Sequence, residues 1–313
     1  MNPVIDKEEL RSLMKINPVR GLFQIVFEWG AIFALATAGE WSFAQLPFEV
    51  SLPLYVLILL LIGTRFHALG VLMHEATHYR ILKNKKINDI IGEVLLAWPL
   101  LTTMYSYRKN HFAHHRHVNT DKDPDWLRRV DDHDHDFPKS RSDFFITCAR
   151  YLFGFNIIEE IRKAAVMNKN NPAPTNIRFS RIALYALLVG SSIIFGFWHC
   201  LILYWGLPFF TAFFLIMYIR GVAEHYGSME YENALNHTRH TEANWLEKIL
   251  FAPNNVHYHL DHHLYPAVPF YNLPKLHKLL MQNEEYKEKA HITDGYFKGL
   301  VDECTREWDR DRV

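Results

Sequence analysis

Eight histidines stand in three short groups: His74-Glu-Ala-Thr-His78, His111-Phe-Ala-His114-His115 and His259-Leu-Asp-His262-His263. Imidazole titrates near neutral pH, so its unprotonated nitrogen is free to bind zinc or iron. One zinc ion takes three or four protein ligands, and eight clustered rings exceed that. They suit two metals held close together. The chain has 19 histidines in 313 residues, and two H-x-x-H-H groups would arise by chance in about 0.2% of such chains. Scattered surface histidines are therefore a poor account of the pattern.

The spacing says what must carry the rings. His74 and His78 are an i, i+4 pair, which lies on one face of a helix. In a helical H-x-x-H-H group, His111 and His114 or His115 share a face, so one such helix can serve two neighbouring ions. Four apolar stretches are placed to position the groups, at about residues 21–38, 52–73, 182–203 and 207–223. A bilayer core needs about 20 helical residues. The third and fourth are separated by the turn signal Trp205-Gly-Leu-Pro208. His74 and His78 follow the second stretch directly. His225, in Arg220-Gly-Val-Ala-Glu-His225, follows the fourth in the matching place.

Charge orients the spans. The tips 39–51 and 199–206 contain no Lys or Arg, whereas Lys7, Arg11, Lys15 and Arg20 precede the first span. Arg80, Lys83, Lys85 and Lys86 follow the second; Arg162, Lys163, Arg178 and Arg181 precede the third; Arg220 closes the fourth. The excess of positive charge predicts both termini and all histidine groups on the cytoplasmic side, with Trp41, Trp198 and Trp205 as interfacial anchors. The expected fold is all-α: an integral membrane domain over 1–313, with four transmembrane helices in two hairpins, interfacial helices and a cytoplasmic histidine-rich cap. Residues 87–107 read as an interfacial or re-entrant helix, and 144–161 as an amphipathic surface helix. Both could wall a lipid chain.

Composition narrows the rest. Lys plus Arg equals Asp plus Glu at 34 each, so no basic excess argues for nucleic acid. Cys148, Cys200 and Cys304 are isolated and odd in number, which suggests neither a disulfide framework nor a thiolate site. The first 20 residues are polar and do not read as a signal peptide. Residues 169–176, rich in Asn and Pro, read as a loop.

Histidine boxes of these three forms, interrupted by paired spans, resemble the membrane fatty-acid desaturase family over roughly residues 65–279. The likeness extends through His115-Arg-His-Val-Asn-Thr-Asp-Lys-Asp-Pro-Asp125 and 255–277, ending Tyr265-Pro-Ala-Val-Pro-Phe-Tyr-Asn-Leu-Pro-Lys-Leu-His277. The resemblance implies a non-haem di-iron centre, O₂ as co-substrate, and removal of two hydrogens from an unactivated acyl chain of a lipid. Its metal ligands would be His74, His78, His111, His114, His115, His259, His262 and His263, with His225 as the further ligand after the fourth span. It also implies electrons from a separate donor of the ferredoxin or cytochrome type. The termini are short and lack His-Pro-Gly-Gly, so no fused haem domain is expected. Glu75, Glu224 and Asp261 adjoin ligands in sequence and are candidates to fix ring tautomers from behind.

Other readings compete. A hydroxylase or ketolase of a lipid or carotenoid would share the boxes. His74-Glu-Ala-Thr-His78 also fits the zinc-protease form H-E-x-x-H with Glu75 as base, or a zinc-binding receptor, but that leaves two groups unemployed. Asp121-Lys-Asp-Pro-Asp125 lacks the Gly and terminal Glu of a calcium loop and reads as a turn. Asp131-Asp-His-Asp-His-Asp136 reads as a solvated charged loop. His117, His237, His240, His257 and His277 are surplus, expected behind the ligands or at the surface.

Overall fold

The computed structural model describes residues 5–227 and 233–305. The all-α expectation holds there, apart from two-residue parallel strands pairing His240–Thr241 with Ile292–Thr293. Among the described residues, four helices are long and apolar enough to cross a membrane.

The first runs Pro18–Gln45, well beyond residue 38. Asn17 caps it by accepting from Val19 N and Arg20 N, and Pro18 sits where a missing N–H costs nothing. Gly39 does not end the helix; Pro47 does. The second helix, Phe48–Thr77, folds back against the first. Arg65 meets Glu28 at 3.0 Å, and Gly21 lies against Ile81. Within its most apolar window 67% of the second helix is buried, against 6% for the third. The second helix is the axis of the bundle, and the third is its outer face.

The second pair departs from the expected boundaries. The third helix is Thr175–Ile194 and the fourth Trp198–His225, so the turn falls at 195–197 rather than at Trp205–Pro208. Gly196, at φ +78, takes the left-handed conformation that terminates a helix. Gly206 and Pro208 are instead absorbed into the fourth helix by π-helical turns at Ile202–Gly206 and Phe209–Phe213. A widened turn accommodates a proline that a regular α-helical ladder would reject.

Residues 87–107 form a bent segment rather than one helix. Lys85–Leu100 and Met104–His117 meet at 91°. Buried Glu93 holds the bend: it accepts from Trp98 Nε1 at 2.9 Å, Met104 N at 3.1 Å and Tyr105 N at 2.9 Å. A carboxylate on the free N–H groups of a helix start both caps it and complements its dipole. The amphipathic stretch 144–161 is likewise two helices, Arg141–Leu152 and Ile157–Asn170, broken at Gly154 with φ +76. Past the fourth helix, fully buried Arg239 donates to Val222 O and Ala223 O and pairs with Glu303 at 2.9 Å. This arginine pins the C-terminal region to the end of the fourth helix.

The second and fourth helices come close together at Gly63, where an added Cβ would lie 2.5 Å from Ala212 Cβ and 3.0 Å from Phe213 N. Small residues let helices in lipid come together. Gly63→Ala is expected to destabilise the protein by about 1–3 kcal/mol, as overpacking does, seen as a lowered melting temperature in detergent. Gly30→Ala, with nothing within 4 Å of its Cβ, should leave the melting temperature unchanged or slightly raised.

Candidate metal centre

Helix ends bring the histidines together. His74 lies in the last turn of the second helix and His78 is its C-cap. His225 is the last residue of the fourth. The second box rides on Met104–His117 and the third on the short helix His259–Leu264. All nine candidate rings collect in two adjoining groups.

His74, His78, His111, His115 and His262 form the first group, each offering a nitrogen within 4.8 Å of the others. His78 and His115 Nε2 each lie 2.9 Å from His111 Nε2, and His262 Nε2 lies 3.2 Å from His115 Nε2. His114, His225 and His263 form the second, and His259 joins it with its Nε2 2.9 Å from that of His225 and 3.0 Å from that of His263. The stacked His115 and His263 rings, 4.2 Å apart, join the two groups. Each H-x-x-H-H box is thus divided. His111 and His115, one turn apart, serve the first group while His114 serves the second; His259 and His263 serve the second while His262 serves the first.

The donor set fits metal ions. Two nitrogens bound at right angles to one ion at the usual imidazole bond length would lie about 3 Å apart, as these do. Buried His74 Nε2, moreover, has no hydrogen-bond partner among the described residues. Burial holds His78 down at about 3 and His115 down at about 2. It also holds His259, His262 and His263 well below the ordinary imidazole value. Neutral rings keep a lone pair available. His114 differs: burial disfavours its charge, but the Asp123 hydrogen bond and the nearby carboxylates outweigh burial and raise it. A metal on its other nitrogen would take the place of that proton.

Asp123 escaped sequence reasoning, which read its segment as a turn. It is one: Asp123 caps Pro124–Leu127 and accepts from Asp125 N and Asn119 N. The same buried carboxylate accepts from His114 Nδ1 at 2.9 and 3.0 Å. That bond fixes the tautomer and directs Nε2 away from Asp123. A nine-residue separation across a turn leaves no periodic signal. Of the carboxylates singled out from sequence, Glu224 lies 3.6 Å from His259 Nδ1 and pairs with Arg220 at 2.7 Å. Glu75 lies 3.9 Å from His74 Nδ1 and accepts from Phe270 N at 3.0 Å. Its burial against that backbone leaves it badly placed as the base of a protease. Asp261 turns instead to His277 Nδ1, at 2.9 Å, and to the Tyr286 hydroxyl. Of the surplus histidines, His240 stacks on His277 and His257 is buried near them, while His117 ends its helix half-buried.

A cavity of about 590 Å³ opens onto His111, His114, His225 and His259, a volume ordinary for a small-molecule site. Leu100, Phe209, Phe213 and Met217 wall one part; Asp125, Arg128, Arg129 and Lys163 wall another.

The family profile described as fatty acid desaturase matches residues 51–295. The dihydrorhizobitoxine desaturase of Bradyrhizobium elkanii is 29% identical over 304 residues, covering 93% of this chain and 84% of its own length. The sn-1 oleoyl-lipid 12-desaturase of Anabaena variabilis is 23% identical, with 85% and 79% covered. The sn-2 acyl-lipid omega-3 desaturase (ferredoxin) of Arabidopsis thaliana is 25% identical, with 82% and 60% covered.

Removing the Asp123 carboxylate tests the centre. Asp123→Asn is expected to weaken whatever metal retention these rings provide about 10–100-fold, the usual cost of losing a carboxylate behind a histidine ligand, read as metal per chain after dialysis against graded chelator. Metal held as tightly as in the parent protein would show that His114 needs no such support.

Proposed function

The chain belongs to the fatty acid desaturase family, and we propose that it is an O₂-dependent desaturase of an aliphatic chain that works at two irons held by His74, His78, His111, His114, His115, His225, His259, His262 and His263. The observation that carries this reading is the convergence of nine buried or half-buried rings in two touching groups, four of which (His111, His114, His225 and His259) open onto one cavity. Iron bound there would supply the oxidising power, with O₂ and two electrons, to take hydrogen from an unactivated C–H bond.

The chain's own residues do the rest. Asp123 holds the His114 tautomer from outside. Glu224, beside His259 and Arg220, brings a negative charge to the second group. Phe209, Phe213 and Met217 exclude water and hold an alkyl segment against the histidines, and such placement decides which hydrogen is within reach. The electrons are proposed to come from a separate donor of the ferredoxin or cytochrome type; a relative named for ferredoxin supports the first. A lipid acyl chain is the substrate class with support from acyl-lipid relatives. A small non-lipid substrate is the second reading, favoured by the charged part of the cavity and by the relative named for dihydrorhizobitoxine.

The protein is an integral membrane protein, and the lysine and arginine pattern supports a topology of two hairpins under one cytoplasmic cap, with both termini inside. Tags at either terminus should be reached only from the cytoplasmic side, and a label at residue 46 only from the other. A terminus labelled from outside would separate the histidine-bearing segments and end this arrangement.

Expressed in a host and supplied with O₂ and reductant, the protein should introduce a double bond, detected by gas chromatography and mass spectrometry of host lipids and small acids. His115→Ala and His262→Ala should each abolish that product and lower bound iron while leaving the protein in the membrane. A hydroxylated or keto product without added unsaturation would redirect the assignment to a hydroxylase or ketolase.

A further inference from the structure

The cavity wall carries four cations, Arg128, Arg129, Lys163 and Arg220, and three carboxylates, Asp125, Glu160 and Glu224. Three pairs account for six of these charges. Arg128 pairs with Asp125, Lys163 meets Glu160 at 2.8 Å, and Arg220 meets Glu224 at 2.7 Å. Arg129 is the remainder: among the described residues no carboxylate lies within 4.0 Å of it. It hydrogen-bonds the Tyr226 side chain, and its Nη1 lies 3.1 Å from where a Cβ on Gly221 would stand. A side chain at that point would push the guanidinium back by a few tenths of an ångström. Asp125 and Glu160 act on Arg129 only at longer range, and four cations against three carboxylates leave the wall with one positive charge in excess, which suits an anion.

We propose that Arg129 binds a free carboxylate on the substrate, so that the molecule desaturated is an unesterified aliphatic acid. Guanidinium presents two parallel N–H donors that match a carboxylate, whereas an ester or thioester oxygen brings no charge to balance the excess on the wall. Gly221 precedes His225 by one helical turn, about 6 Å along the axis, and both line the same cavity as Arg129, so an anion on Arg129 sits on the wall that carries the histidines. This rests on the desaturase reading of the cavity and selects the substrate class within it.

Equilibrium dialysis of the purified iron-loaded protein in detergent, with radiolabelled octanoate and methyl octanoate as probes, separates charge from chain. The parent protein should bind octanoate about tenfold or more tightly than the ester, the span expected of a charge-assisted hydrogen bond. Arg129→Gln should abolish that preference and Arg129→Lys retain part of it, both with iron content and melting temperature intact. Equal binding of acid and ester by the parent, or a preference that survives in Arg129→Gln, overturns the proposal. Dioctanoyl-phosphatidylglycerol displacing octanoate from the parent but not from Arg129→Lys would assign the anion to a lipid headgroup and overturn the free-acid assignment. A preserved acid preference with no double bond formed in any lipid or acid would uphold Arg129 while sinking the desaturase reading itself.

Discussion

Nine imidazoles carried by four separate stretches of chain can meet only if their helices are fixed in depth and rotation to within a fraction of a side chain. Most of that work falls to the contact between the second and fourth helices, which end at His78 and His225 and close at Gly63 against Ala212. A shift of one residue in either would rotate its terminal histidine away from its group. The remaining boxes are hung on this frame. Glu93 bends the preceding segment so that Met104–His117 starts in the right direction, and Arg239 ties the region bearing the third box to carbonyls at the end of the fourth helix.

Polar burial does this fixing where apolar packing alone would not. The third-box helix is six residues long, too short to hold its orientation by itself. Asp261, wholly buried within it, accepts from His277 and from the Tyr286 hydroxyl, which anchors the helix to the two that follow. Burial raises the Asp261 carboxyl above its ordinary value even with His277 beside it. Two donors are what make its placement tolerable. The rings of the centre are thus held by groups that never face the cavity.

Much of the site was legible because helical spacing is itself geometry: His74 and His78, or His111 and His115, must share a face. The partition of each box between two groups follows from the same rule, once it is known what lies on either side. Asp123 was hidden because its partner His114 lies across a turn, and turns carry no period. The third-to-fourth connection was misplaced because Gly206 and Pro208 are stronger punctuation in sequence than Gly196, yet π-helical widening absorbs them. No sequence pattern could show that Arg129 has no carboxylate within 4.0 Å among the described residues, since its neighbours Asp125 and Arg128 supply balanced charge until their pairing is seen.

Helix lengths set the height of the centre. The third helix has 20 residues, about 30 Å at 1.5 Å per residue, which is the thickness of a bilayer's hydrocarbon core. The second has 30 residues, about 45 Å. Its surplus of about 15 Å, with His74 in its last turn, is length beyond what a hydrocarbon core matched to the third helix takes up. A thicker membrane would consume part of that surplus and draw the centre toward the headgroups. The distance between chemistry and lipid is therefore a ruler built into the fold, and bilayers of different thickness would read it differently.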